Sequence, residues 1–478
     1  MGTLRNSAGI YNIEIGHNCR VMINRYVEPI GIPKLGYSKR SIAFFLVCSI
    51  LLAAVVLFFY SGDFFREYTD ERQSSLGSAD MHNLAWASFH NKDILDGLFL
   101  AKRIGANGVA ADYPHYTNGY PLLVGSYYQL VGDSLISSRL FPIFSITFGG
   151  LLFLLTLVLR EGLSPAIFLS IPFLLASSIG RDAGSFELLE PAHFLALGVA
   201  SYFLFRKNSL LIKFIAILIS IALYQVSFIF IGAVIIAWYF RSKNFKELII
   251  LFAFLASSML LVLVVFASSS GWLELFSIIK KRSGLNIEGY GVDESINLGG
   301  YIKSIFNIRL NQSVNYVILA GAILECIFEA RNKKYLLPCV VASLLIYSVI
   351  FLNHTGAHYF TYLIYVYLIL VAWIALLMRG FSNLLAFSNN AIATCILTIF
   401  LVTTFYSLIS KPRNYREDPI VQLDYYALKK WVANNDSYRC STFEVIGVRT
   451  DARIVSPFFA KYFGKNKTGP HCKIDLAN

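Results

Sequence analysis

Runs of Ile, Leu, Phe and Val recur from residue 41 to residue 408, with polar breaks between them. The first, over residues 41–60, is about long enough to cross a bilayer as a helix. Further runs begin near Phe141, Ser164, Glu190, Ser209, Val226, Leu248, Val314, Leu336, Phe360 and Ala391. That makes about eleven spans, some near the lower length limit. Residues 209–240 read as two short antiparallel spans, because Tyr224-Gln225 interrupts the apolar stretch and basic residues flank both ends. The pieces do not divide into two similar halves, so there is no sign of the inverted repeats of many transporters.

Composition agrees with the pattern. Of 478 residues, 56% are hydrophobic and only 15% charged, where a soluble domain carries about 25% charged residues. A disordered chain, a disulfide scaffold and an ordinary cytosolic enzyme are excluded. The expected class is an all-α polytopic membrane protein. It has a polar segment 1–40, a transmembrane domain 41–408 with long loops at 61–137 and 267–313, and a small α/β segment at 409–478.

The net charge of +12 matters through its placement. Basic residues flank apolar spans, as the topology rule requires, and nucleic acid is not the expected partner. Residues 1–40 carry several Lys and Arg and no small-residue cleavage pattern, which sets the N-terminus in the cytoplasm. Alternation from there puts Arg160, Arg206-Lys207, Arg241 with Lys243 and Lys246, Arg331 with Lys333-Lys334, and Arg379 in inner turns. Every inner turn is then basic, while the short outer turns near Tyr224 and His354 hold no Lys or Arg. Loop 61–137 has an acidic excess and falls outside, as do loop 267–313 and the tail from residue 409. The second loop, with Trp272 and Lys280-Lys281-Arg282, suits amphipathic helices lying in the interface. The seven cysteines show no metal-binding spacing. Cys440 and Cys472 share the external tail and could form a disulfide there.

Polar side chains gather at the outer ends of the spans: Asp80 and His82, Asp112 to Tyr120, Arg139, Arg181-Asp182, Glu187 and Glu190, Tyr224-Gln225, and His354 with His358. Ionisable groups near hydrocarbon are costly unless they line a wet cavity or meet a partner. Their shared side points to one outward cavity. Carboxylates with Arg and His at a membrane surface suit transfer from a lipid-linked sugar phosphate. A carboxylate takes the acceptor's proton, and Arg holds the departing phosphate with its fork.

Three stretches carry a family resemblance. These are Gly77-Ser-Ala-Asp80-Met-His82-Asn-Leu-Ala-Trp-Ala; His115-Tyr-Thr-Asn-Gly-Tyr-Pro121-Leu-Leu with Gly132 and Ser137-Ser-Arg139-Leu-Phe-Pro142; and His354-Thr-Gly-Ala-His358-Tyr359. With the layout of residues 41–380, the chain resembles the GT-C superfamily of polyprenyl-phosphate-sugar-dependent glycosyltransferases, in particular the protein O-mannosyltransferase and aminoarabinose-transferase branch. It departs from that pattern in Asp80-Met81, where the family has Asp-Glu, and in Tyr120-Pro121, where it has a double proline.

The resemblance implies an inverting transfer of a sugar from a polyprenyl phosphate to a glycan, glycolipid or protein acceptor. It places the reaction on the external or periplasmic face of a plasma or inner membrane. Asp80 would be the general base, with His82 beside it; a helix N-cap is the plainer role for Asp80. Arg139, Arg181, His115, His354 and His358 would bind the donor phosphate, although Arg139 also reads as a flanking charge at a helix end. Glu187 and Glu190 offer a second carboxylate, for the acceptor or for a divalent ion. Some family members need such an ion, and oxygen ligands such as Asp80 and Glu187 suit Mg2+ or Mn2+. Two other readings stand beside this one: a cell-surface polysaccharide polymerase or ligase, and a transporter or flippase of a lipid-linked glycan. The polymerase should carry its large catalytic loop late in the chain. The transporter should carry ionisable residues near the bilayer midplane.

Overall fold

A computed structural model describes residues 37–59, 84–85, 87, 99–104, 110–113, 117–132, 135–177, 191–206, 209–283, 312–350, 363–387, 427, 430, 442–446 and 471–475, all within the compact unit Tyr37–Asn478. The apolar runs of these segments are helical. Among them, five helices are long and apolar enough to cross a membrane, and three shorter apolar ones stand with them. The run expected from Ala391 and residues 1–36 lie outside the described residues.

The first helix, α1 (Lys39–Phe59), packs on the 3-10 turn Pro165–Leu169 and on α4 (Ser170–Ala176) that continues it. Ser49 donates its hydroxyl to the Phe168 carbonyl at 2.7 Å. Phe44, Val47, Leu51 and Phe58 of α1 face outward, as expected of a helix that meets lipid along most of its surface. Apolar burial does little to join helices already in lipid, so close packing and buried hydrogen bonds must do it. The crossing of α3 (Leu135–Thr156) with α5 (Pro191–Leu204) illustrates this. Gly149 lies against the Phe194 backbone and Gly198 against Gly149, with no room at either for a methyl group. Nearby, Tyr367 of α12 (Leu363–Phe387) donates its hydroxyl to the Gly150 carbonyl at 2.8 Å.

Loop 61–137 contains more structure than its polar composition suggests. Strands β1 (Ala101–Ile104) and β2 (Ala110–Tyr113) pair antiparallel, with Lys102 opposite Asp112 and their charges 3.4 Å apart. Helix α2 (Gly119–Val131) follows and buries Tyr120, Val124 and Tyr128, one face at helical spacing. Helix α3 then starts at Leu135, inside the stretch expected to be loop, and carries Pro142 within it. Arg139 is therefore on a helix.

The two-span reading of residues 209–240 holds. Helix α6 (Leu210–Leu223) ends at Tyr224, whose φ of −161° and ψ of 111° are extended. A 3-10 turn, Gln225–Ser227, leads into α7 (Phe228–Ser242). The pair is antiparallel: Lys213, in the first turn of α6, stands 4.3 Å from the centre of the Trp238 ring near the end of α7. Helix α8 (Phe245–Ser270) stops at Gly271, whose φ of +82° suits glycine and turns the chain into α9 (Trp272–Ser283). Trp272, Leu273, Phe276 and Ile279 of α9 are exposed while Leu275 is buried. Helices α10 (Gln312–Arg331) and α11 (Leu336–Ile350) precede α12. In the tail, β3 (Thr442–Ile446) and β4 (His471–Asp475) pair in parallel, with Phe443 opposite Cys472. Cys440 lies outside the described residues.

Candidate functional site

The bundle has two chemically different ends. At one, the basic turns meet buried carboxylates. Helix α3 runs on through a π turn, Leu157–Glu161, and Gly162 (φ +69°) caps it. Arg241 Nη1 lies 3.3 Å from the Glu161 carboxylate and also donates to the Arg160 carbonyl. Lys334 Nζ lies 3.4 Å from Glu329 Oε2 and 3.5 Å from the Gly162 carbonyl. Arg379 donates to both oxygens of Glu325, at 3.0 and 2.8 Å, and to the Glu329 carboxylate. Glu161, Glu325 and Glu329 are no more than 5% exposed, and a buried carboxylate persists only when paired. Lys213 is likewise paired, with Glu247. The turns holding Arg160, Arg241, Lys334 and Arg379, assigned to one face from the sequence, thus lie together. The cations of Arg241, Lys334 and Arg379 are engaged with the protein's own carboxylates, so this end is a structural clasp.

Among the described residues the opposite end is polar and aromatic, and it is organised by the break between α6 and α7. Ser227 and Arg241, the two ends of α7, are separated by about 21 Å of helix rise. Tyr224, Gln225 and Ser227 are buried, and a broken helix leaves backbone groups that need partners. Gln225 Oε1 accepts from Thr117 N at 3.0 Å and from Thr117 Oγ1 at 3.1 Å. Thr117 Oγ1 in turn accepts from the Gln225 backbone N–H at 3.2 Å. Gly119 fits against the Ala222 carbonyl, where a side chain would collide. Tyr120, next in the chain, lies 3.2 Å from Ser145 Oγ of α3.

His193 belongs to the same cluster. Pro191 opens α5, a favoured place for proline, and His193 stands in the first turn with 1% of its surface exposed. Its Nδ1 is 2.8 Å from Ser227 Oγ. Its ring centre is 4.5 Å from Tyr224, 5.3 Å from Phe230 and 5.9 Å from Tyr347. Among the described residues Nε2 has no hydrogen-bond partner. Tyr347 continues the cluster to Tyr365, ring centres 5.9 Å apart, near the start of α12.

Asp80, His82, His115, Arg181, Glu187, Glu190, His354 and His358 lie outside the described residues, and of Arg139 only the helical backbone is described. What the structure places is the chain beside them. Leu84, Ala85 and Ala87, which follow Asp80 and His82, are buried. Thr117 ends the stretch that carries His115, His193 begins just after Glu190, and Tyr347 and Tyr365 flank the stretch with His354 and His358. Thr117, His193 and Tyr347, each in the described chain near a candidate stretch, therefore belong to one node. His193 was missed from sequence because a lone His in an apolar run reads as core. The signal was Pro191, which marks a helix start at this end of the bundle. Among the described residues no three His, Cys, Asp or Glu side chains gather as a metal site would require.

Comparison with known proteins fits this architecture. No family model and no curated protein matches the chain. Among solved structures, the oligosaccharyltransferase of Archaeoglobus fulgidus in its apo form is similar at 13% identity and a TM-score of 0.51, over 91% of this chain and 61% of that one. ArnT from Cupriavidus metallidurans aligns in its apo state at 13% identity and a TM-score of 0.44, over 87% of this chain and 74% of that one. The same protein bound to undecaprenyl phosphate aligns at 12% identity and 0.42, over 91% and 78%. At these identities it is the oligosaccharyltransferase match that establishes the fold, and the chain spans about 61% of that protein's length. The architecture is that of a helical polytopic membrane protein with a fold similar to that oligosaccharyltransferase.

Proposed function

We propose that the protein is an integral-membrane glycosyltransferase that moves a sugar from a polyprenyl phosphate to an acceptor at the end of the bundle opposite the basic turns. The supporting observation is the node at Tyr224–Ser227, where stretches adjoining His115, Glu190 and His354 are anchored together, opposite the basic end. With the basic end cytoplasmic by the topology rule, the reaction takes place on the external face. The fold agrees with this reading.

In the proposed reaction Asp80 accepts the proton of the acceptor hydroxyl, and the freed oxygen attacks the anomeric carbon. The bond from that carbon to the phosphate oxygen breaks, and the lipid phosphate leaves with the electron pair. One displacement inverts the configuration. Arg139 and Arg181 hold the phosphate as charge develops on it, assisted by His115, His354 and His358. Glu187 or Glu190 supplies the second carboxylate, and with Asp80 could hold Mg2+ or Mn2+ against the phosphate. Transport is disfavoured because the buried ion pairs among the described residues close on one another at the basic end. They do not line a path through the bundle.

The test is release of free lipid phosphate from a panel of polyprenyl-phosphate sugars by wild type and Asp80→Asn, with and without EDTA. The reading expects release by wild type, loss of most of it in Asp80→Asn, and loss with EDTA if an ion takes part. Equal turnover by the variant would remove Asp80 from its role.

A further inference from the structure

We propose that the break at Tyr224–Ser227 is a positioning device for the outer site. Gln225 and Ser227 hold Thr117 and His193, and so fix two separate candidate stretches relative to each other. The inference deepens the transferase reading and rests on it. Gln225 and Ser227 belong to one 3-10 turn. One, Gln225, joins Thr117 through three hydrogen bonds of 3.0–3.2 Å, two at its side-chain Oε1 and one from its backbone N–H. The other meets His193 at 2.8 Å.

All four residues are buried, Thr117 and Ser227 fully. Buried hydrogen bonds of this kind rigidify what they join, and losing one partner leaves the other buried and unsatisfied. A continuous helix over residues 209–240 would have spent these backbone groups on itself. Breaking it frees the Gln225 N–H for Thr117 and turns two side chains of one strand of chain toward different stretches. These are positioning residues, since nothing places them on the reacting atoms.

The experiment compares Thr117→Val, Gln225→Met and His193→Leu with the conservative Thr117→Ser and His193→Asn, and adds Ser227→Ala for the exchange measurement. Serine keeps the hydroxyl, and Asn keeps an amide group where Nδ1 stands. Donor kcat and KM are measured together with hydrogen exchange of peptides covering residues 114–121 and 188–195 in the same detergent preparations. The expected result is a kcat at least about tenfold lower in the three disruptive variants, as misplacement by an ångström costs in well-oriented sites. Donor KM should change less than about threefold, since the loss falls on the transition state. The two conservative variants should recover most of kcat. Exchange should quicken near Thr117 in Gln225→Met, and near His193 in Ser227→Ala.

Wild-type kcat in Thr117→Val and Gln225→Met, or unchanged exchange in both peptides, overturns the positioning role. Failure of His193→Asn to recover activity while exchange stays normal also overturns it for His193, and makes Nε2 the working atom. A wild type with no turnover on any donor refutes the transferase reading instead. The exchange arm still decides whether the node couples the two stretches.

Discussion

A single methyl group at Gly119 should open the node. Built on the existing backbone, it stands 2.5 Å from the Ala222 carbonyl oxygen, 2.7 Å from its carbon and 3.0 Å from Leu223 N. Ordinary contact begins at 3.4 Å, so α2 and the end of α6 must part by about 0.9 Å, the shortfall against normal packing. Both colliding groups are backbone and cannot rotate away. Thr117, two residues earlier, then moves from 3.0 Å to about 3.9 Å from Gln225 Oε1, beyond hydrogen-bond reach. Overpacking costs about 1–3 kcal/mol and each lost hydrogen bond about 1 kcal/mol, while the better helix propensity of Ala returns less than about 1 kcal/mol. The net loss should be about 2–4 kcal/mol. Thermal unfolding of purified Gly119→Ala should show it as a drop of several degrees, with faster exchange at Thr117. Gly232→Ala is the control, because its nearest neighbours are side-chain atoms at 3.8 and 3.9 Å, and it should be neutral or slightly stabilising. Wild-type stability in Gly119→Ala, with Thr117 as protected as before, would refute the reasoning.

Arg379→Met should destabilise by about 3–5 kcal/mol, because it leaves Glu325 and Glu329 buried without their shared cation; adding Glu325→Gln and Glu329→Gln should recover much of this in the same thermal assay. Gly149→Ala should be at least as damaging as Gly119→Ala, since its methyl group falls well within 3.0 Å of the Phe194 backbone; expression and unfolding midpoint report it. Tyr367→Phe should cost only about 0.5–1.5 kcal/mol, the worth of one hydrogen bond to the Gly150 carbonyl. A spin label on Leu273→Cys should be reached more readily by oxygen than by a polar nickel chelate, as expected if the exposed apolar face of α9 lies in the bilayer interface.

Much of the architecture was legible because lipid imposes it. The basic turns expected on one side, those of Arg160, Arg241, Lys334 and Arg379, do gather at one end. The Tyr224-Gln225 interruption was legible for the same reason, since polar residues do not sit mid-span without a use. The β1–β2 hairpin was not: Ala-Lys-Arg-Ile and Ala-Ala-Asp-Tyr show neither alternation nor β-branched enrichment. Helix α2 was hidden by its loop-like Pro121 and Gly125, although Tyr120, Val124 and Tyr128 mark its buried face. Sequence also under-read the carboxylates Glu161 and Glu329. Charges near span ends look like solvated turns until the partner from another helix is known. The candidate residues Asp80, His82, His115, Arg181, Glu187, Glu190, His354 and His358 lie outside the described residues. The node at Tyr224–Ser227 depends on pairings across more than a hundred residues, such as Thr117 with Gln225, which no local pattern encodes.

The most direct measurement puts the protein into vesicles loaded with polyprenyl-phosphate sugars and follows two quantities together: free lipid phosphate released, and intact donor carried across the bilayer. The account predicts lipid-phosphate release with sugar appearing on the acceptor, in equal amounts, and no protein-dependent movement of intact donor. Donor crossing the bilayer without release would contradict it, and would make the outward end of the bundle a transport route.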